Sequence, residues 1–363
     1  MKIREKIIHV ANGKIVITSL LMMFLSSNSN YFLIELEQPK IHSKSVGRAM
    51  VIPNAQSVKN DSSSTSKTST NNLLIEHPNS FKINAKHCGI DGNQKSSERI
   101  IGGTDTKKGE FPWLALLRIP YGHWKCGGSL INQEWILTAA HCVTKEVESS
   151  CNPSINERLE IMIGHYNMKK TSNAVILKSM IVIPHRKFSY CSGDSDIALI
   201  KLKKSINVKK YKNVNTICLP LEQPADIKAG LKVTVVGHGD TENIKDKNGE
   251  WYSSKSANIM KRLDTTLVRT ESCIDAYNKL VGRHLSIKKG QNMCTRALEG
   301  QDSCRGDSGG PLMTSIDNEK MSEKQWIQVG IVSWGLDKCG MKGIPGVYTS
   351  VKDYLKWVLD NMN

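Results

Sequence analysis

Asp302-Ser303-Cys304-Arg305-Gly306-Asp307-Ser308-Gly309-Gly310-Pro311 is the stretch that decides how this chain is read. A serine hydroxyl is a poor nucleophile until a base takes its proton and fixed N–H donors hold the charge forming on the attacked carbonyl. Glycines on both sides of Ser308 let the backbone turn so that its own N–H groups face that oxygen. Taken alone, the stretch also fits an Asp/Gly-rich surface turn. Two further segments supply what the serine needs. Thr138-Ala139-Ala140-His141-Cys142 follows the apolar run Trp135-Ile136-Leu137, and Asp196-Ile197-Ala198-Leu199-Ile200 sets a carboxylate at the mouth of a strand-like run. A lone histidine beside a cysteine reads as packing or metal ligation, and a lone aspartate there reads as a strand-end cap. Together, in the order His, Asp, Ser, they read as base, orienting acid and nucleophile.

The 363 residues allow one or two domains with a sizeable core, and 39% hydrophobic residues is ordinary for a globular chain. Lys2, Arg4, Lys6 and Lys14 precede the apolar stretch 15–25. That is the charged head and short apolar body of a secretion signal, read as residues 1–27, and too short for a membrane span. An uncleaved anchor is the alternative. The chain is therefore read as secreted and extracellular. Its ten cysteines then argue for disulfides, and no CxxC pair points to zinc. No metal and no cofactor are expected. The net charge of +16 comes from scattered lysines, densest at Lys201-Leu202-Lys203-Lys204 and Lys209-Lys210-Tyr211-Lys212. It reads as a basic secreted protein, with polyanion binding as the alternative and no specific nucleic acid as partner.

Residues 28–99 are polar, and 60–72 are so rich in Ser, Thr and Asn that they have little to bury. Asn60-Asp61-Ser62 has the form of an N-glycosylation acceptor. This stretch holds one cysteine, Cys88, and reads as a largely disordered pro-peptide. From Ile100 onward short apolar runs alternate with turn residues, the rhythm of an all-β barrel or sandwich. Residues 351–362 carry helical spacing through Val351, Leu355, Val358 and Leu359. Long loops are expected at 144–156, 240–257 and 315–324.

Residues 100–363 resemble trypsin-like serine proteases of the chymotrypsin family. The resemblance rests on Arg99-Ile100-Ile101-Gly102-Gly103, Cys126-Gly127-Gly128-Ser129-Leu130, the His141, Asp196 and Ser308 blocks, Ser333-Trp334-Gly335 and Pro345-Gly346-Val347-Tyr348. It implies two six-stranded antiparallel β-barrels, about 100–212 and 213–350, a C-terminal helix, and an active site in the cleft between the barrels. Ser308 is then the nucleophile, His141 the base and Asp196 its orienting acid, with the Gly306 and Ser308 N–H groups as oxyanion hole. Asp194 is the rival acid, but only Asp196 precedes the Ile-Ala-Leu run. Asp302, six residues before Ser308, matches the acid at the pocket floor. Gly335 and Gly346 match the residues that leave that pocket open, and Ser333, Trp334 and Gly335 the strand that pairs with substrate. The resemblance thus implies a serine endopeptidase cutting protein or peptide substrates after Arg or Lys.

It further implies a zymogen, in which cleavage after Arg99 frees the Ile100 amine to pair with Asp307. The implied disulfides are Cys126–Cys142, Cys273–Cys294 and Cys304–Cys339, with Cys218 the expected partner of Cys88, which tethers the pro-peptide. Cys151 and Cys191 are left over and pair by elimination. Arthropod relatives often carry a six-cysteine clip domain, which residues 28–99 cannot build. Serpin-type or Kunitz-type inhibitors are the implied partners. A regulatory cascade or venom protease is the role favoured over a digestive trypsin or a polyanion-binding pseudo-protease cofactor. Two departures stand out. His165 occupies a loop position where calcium-binding trypsins keep glutamate, so no calcium site is expected, with ligation by Glu148 or Glu157 as the alternative; His238 stands where tryptophan is usual and reads as a surface or packing residue.

Overall fold

Runs such as Trp135-Ile136-Leu137-Thr138 and Lys232-Val233-Thr234-Val235-Val236 are rich in side chains that fit a pleated surface, and both form strands. The computed structural model describes residues 3–11, 14–22, 77, 79–80, 87–92 and 104–362, less 120–121, 148–149, 222–225, 242–243, 246–250, 253–255, 282–285, 297–298, 301, 319–322 and 337. Asn60, Arg99 and Ile100 lie outside the described residues.

The first barrel comprises β1 (Leu114–Arg118), β2 (Cys126–Leu130), β3 (Trp135–Thr138), β4 (Glu160–Ile163), β5 (Val175–Pro184) and β6 (Ala198–Leu202). Their order is β5-β6-β3-β2-β1-β4, and β4 closes the ring on β5. The second comprises β7 (Lys232–Gly237), β8 (Lys261–Val268), β9 (Asn292–Thr295), β10 (Pro311–Asn318), β11 (Glu323–Trp334) and β12 (Val347–Ser350). Their order is β7-β10-β11-β12-β9-β8, closed by β7 against β8. Every pairing is antiparallel, so the architecture is the expected all-β pair of six-stranded barrels. One extra strand, Thr104–Asp105, runs beside Lys261 and Arg262 of β8, so the chain enters along the second barrel before building the first.

Helix α1 (Thr270–Val281) is an element the sequence reading did not anticipate. Helix α2 (Val351–Asp360) is the expected C-terminal helix, and its Val351, Leu355, Val358 and Leu359 are all buried. Burying each such side chain contributes about 1.5–3 kcal/mol. The stretches read as long loops carry short hairpins instead. Thr144–Val147 pairs with Ser150–Ile155, Ile244–Lys245 with Trp251–Tyr252, and β10 and β11 run on together to Asn318 and Glu323. Paired backbone satisfies its own N–H and C=O groups in these polar extensions, where an open loop would leave them to water.

All five disulfides form as expected: Cys88–Cys218, Cys126–Cys142, Cys151–Cys191, Cys273–Cys294 and Cys304–Cys339. The Cys88 tether is more than a sulfur bridge. Gly89 donates to Thr216 O at 2.7 Å, and Trp326 N donates to Gly89 O at 2.8 Å. Farther upstream, Asn79 Nδ2 donates to Leu359 O at 2.7 Å, seating the same segment on the last turn of α2. The chain divides into a first unit, residues 1–62, and a second, 63–363. In the first, Ile3–Ala11 pairs antiparallel with Lys14–Met22, across the stretch read as a secretion signal. Among the described residues, no helix is long and apolar enough to cross a membrane.

Candidate active site

The three blocks singled out in the sequence converge on one cleft. His141 follows β3, Asp196 leads into β6, and Ser308 sits in the turn before β10. The cleft measures about 470 Å³, and His141, Asp196, Asp302, Ser308, Trp334 and Gly335 line it.

Asp196 is 3% exposed and fully engaged. Its Oδ1 accepts the His141 backbone N–H at 2.9 Å, and its Oδ2 lies 2.8 Å from His141 Nδ1. Ser333 Oγ donates to the same Oδ2 at 2.5 Å, and Thr349 Oγ1 donates to the Asp196 carbonyl at 2.8 Å. Burial works against the Asp196 carboxylate, but the imidazole charge and the hydrogen bonds from His141 and Ser333 outweigh it and hold its pKa below the ordinary value. Burial likewise works against the His141 imidazolium, and the charge of Asp196 with its hydrogen bond overcomes it, raising the His141 pKa. His141 keeps 27% of its side chain open to the cleft, where a proton can be exchanged. Asp194, the rival acid, is bound elsewhere: Lys288 Nζ lies 2.5 Å away and Ser286 Oγ 2.6 Å.

The sequence reading missed the device that aims Asp196. Ser195, the residue before it, has φ +54°, a left-handed conformation that a non-glycine residue adopts only when its surroundings enforce it. Around it, Tyr354 of α2 donates its hydroxyl to Ser195 Oγ at 3.1 Å, and Ile197 N donates to Ser195 O at 2.8 Å. Ser333 carries a second role beside the one expected of it, since its hydroxyl holds Asp196.

The Ser308 turn is pinned from both barrels. Gly127 N of β2 donates to Ser308 O at 2.7 Å, and Gly309 N donates to Val332 O at 2.7 Å. Among the described residues, neither the Gly306 nor the Ser308 N–H meets an acceptor, which leaves two donors free at the turn. No hydrogen bond joins Ser308 Oγ to His141 Nε2; the contact at that nitrogen is Cys142 Sγ at 3.6 Å. Such bonds are often long before substrate binds. Cys126, His141 and Cys142 cluster closely enough to suggest metal ligation, but both sulfurs are spent in a disulfide.

Below the cleft, Asp302 is largely withdrawn from water, and burial pushes its pKa up to about 7. A Cβ added at Gly346 would lie 2.6 Å from Asp302 Oδ1, whereas one at Gly335 would meet nothing within 4 Å. Gly346 therefore makes room for the carboxylate, and Gly335 opens onto the cleft. The Tyr190–Asp194 loop closes the upper wall, with the Cys151–Cys191 bridge holding its base.

Asp307 faces the opposite way. A second pocket of about 220 Å³ is lined by Gly237, Gly239, Asp240, Lys261, Asp302 and Asp307. Asp307 Oδ1 accepts from Gly239 N at 2.7 Å and Oδ2 from Cys304 N at 3.0 Å. Cβ atoms at Gly237 or Gly239 would come within 2.0 and 2.2 Å of its oxygens, so only glycines leave this carboxylate its seat. Burial, with Asp240 adding to it, pushes Asp307 up to about 6.

This architecture and this cleft define a class that sequence comparison identifies directly. Residues 100–358 match the Trypsin family, and the chain belongs to it. Among curated relatives it is similar to CLIP domain-containing serine protease B4 of Anopheles gambiae, 34% identical across 76% of this chain and 72% of that protein. Melanization protease 1 of Drosophila melanogaster is 33% identical across 77% of this chain and 68% of its own length. Tryptase of Mus musculus is 31% identical across 74% of this chain and 90% of its own. The chain is a trypsin-like serine endopeptidase, a hydrolase acting on protein substrates.

Proposed function

We propose that this is a secreted zymogen which, once cut between Arg99 and Ile100, hydrolyses peptide bonds after Arg or Lys in a regulatory proteolytic cascade. Ser308 attacks the carbonyl, His141 takes its proton and returns it to the leaving amine, and Asp196 stabilises the imidazolium. The free Gly306 and Ser308 N–H groups receive the oxyanion, where one donor is worth about 3–4 kcal/mol. The observation that carries specificity is the placing of the largely buried Asp302 carboxylate in the lining of the same cleft as His141 and Ser308. A carboxylate that resists ionisation for want of a cation is a receptor for a guanidinium or ammonium group. Bulk at Gly346 would displace it, so Gly346→Val is expected to lower kcat/KM on Arg substrates about 100-fold or more while the His141–Asp196 pair stays intact.

Activation follows from the second pocket. Thr104 pairs with Arg262, which lines that pocket. Four extended residues span at most roughly 14 Å, so Ile100 is tethered within that reach of Thr104, whose strand partner lines the Asp307 pocket. In the uncut chain Asp307 binds its proton more tightly folded than unfolded. The folded state therefore holds extra proton between the unfolded pKa near 3.8 and about 6, and stability falls as pH rises through that window. Against Asp307→Asn, the uncut wild type should lose on the order of 2 kcal/mol between pH 4 and 7, read by denaturant unfolding. After cleavage the amine holds the carboxylate charged. The trend then reverses, with stability gained above the unfolded pKa.

The basic, apolar amino terminus supports secretion, and the two insect relatives support a regulatory role with serpin-type or Kunitz-type inhibitors as partners. The decisive experiment cleaves the recombinant chain after Arg99 and profiles peptide substrates around the scissile bond. Hydrolysis only after cleavage, confined to Arg and Lys, is expected. Equal rates from uncut chain, or an apolar preference, would overturn the reading. A narrow profile at flanking positions supports a cascade protease, and a broad one a digestive enzyme.

A further inference from the structure

The two departures from the family pattern meet in space. His165, just past β4 in the first barrel, and His238, directly after β7 in the second, have ring centroids 5.0 Å apart and planes inclined by 41°. They are 7% and 5% exposed. His238 Nδ1 lies 2.9 Å from the Ala257 carbonyl, an acceptor only, so Nδ1 carries the proton and Nε2 presents a lone pair. That Nε2 and both ring nitrogens of His165 are buried without a hydrogen-bond partner. Three such orphans cost about 1–3 kcal/mol each, and apolar rings would fill the space without that cost.

We propose that His165 and His238 together bind a divalent transition-metal ion of borderline softness, Zn²⁺ in the first instance, at the seam between the barrels. Imidazole nitrogens ligate zinc at about 2.0–2.1 Å, which in a tetrahedral site sets two ring centres roughly 5 Å apart. The bond from His238 Nδ1 to a carbonyl is the arrangement that orients a ligating imidazole toward metal. Water or backbone oxygen would complete the coordination. Because Gly237 and Gly239 flank His238, an ion there would fix the seat of Asp307 and join it to the first barrel.

Buried rings take up metal during folding, so the test folds the full chain with Zn²⁺ and then removes free ion. A His141→Ala background eliminates the cleft imidazole as a competing ligand. One zinc per chain by elemental analysis, with an anomalous zinc peak between the two rings in crystals, is expected. His165→Gln and His238→Gln should each weaken retention at least tenfold. A water between the rings with no anomalous signal would overturn the proposal, as would zinc content that neither substitution moves. The anomalous map is read on unaltered rings, so it decides the matter even if both glutamine variants misfold.

Discussion

Replacing Ser308 by Ala in the chain cleaved after Arg99 is expected to lower kcat about 10⁶-fold with KM little changed. The size follows from what the substitution leaves in place. The His141–Asp196 pair is held by the His141 backbone N–H, by Ser333 and by Thr349, none of which depends on the Ser308 hydroxyl. The turn is pinned through its backbone, to Gly127 and Val332, so the two free N–H donors keep their positions. Binding of a small amidinium ligand, which needs only the Asp302 pocket, should therefore persist while turnover disappears. Residual catalysis from the donors and substrate binding amounts to about 10³–10⁴ over water. His141→Ala should cost a similar factor, and the double variant little more, because the two residues act in one step. Turnover by pure, disulfide-intact Ser308→Ala protein would refute the nucleophile assignment.

What the sequence made legible, and what it did not, divides along physical lines. The Ser308, His141 and Asp196 blocks each carry a local requirement, namely a turn, a strand end or an aimed carboxylate, and so leave a local signature. The barrels were legible because β-branched runs alternate with turns. Helix α1 was legible in the same way and was passed over: Cys273, Ile274, Tyr277, Leu280 and Val281 recur at helical spacing, and Cys273 and Tyr277 are buried. The positive φ of Ser195 left no trace, and the hydroxyl that its side chain meets, that of Tyr354, lies far along the chain. The same holds for the histidine pair. Each departure could be seen in one dimension, but their contact is a property of how two barrels meet.

Asp302→Ser is expected to reverse the pocket's preference, lowering kcat/KM on Arg substrates by about 10⁴-fold or more while that for large apolar residues rises. Among the described residues the wild-type carboxylate has no cation partner, and burial pushes its pKa up to about 7, so it is part neutral at neutral pH. Its pKa is raised, so the charged form that recruits Arg fades as pH falls through about 7. His141 must also be neutral to act as base, and its own pKa is raised, so a simple rate profile mixes the two. The ratio of kcat/KM for an Arg substrate to that for an apolar substrate cancels His141, which serves both. In wild type that ratio should drop by nearly tenfold for each pH unit below 7. In Asp302→Ser it should be flat. A sloping ratio in the variant would place the recognising charge on some other group, and an unchanged Arg preference would remove Asp302 from the pocket floor altogether.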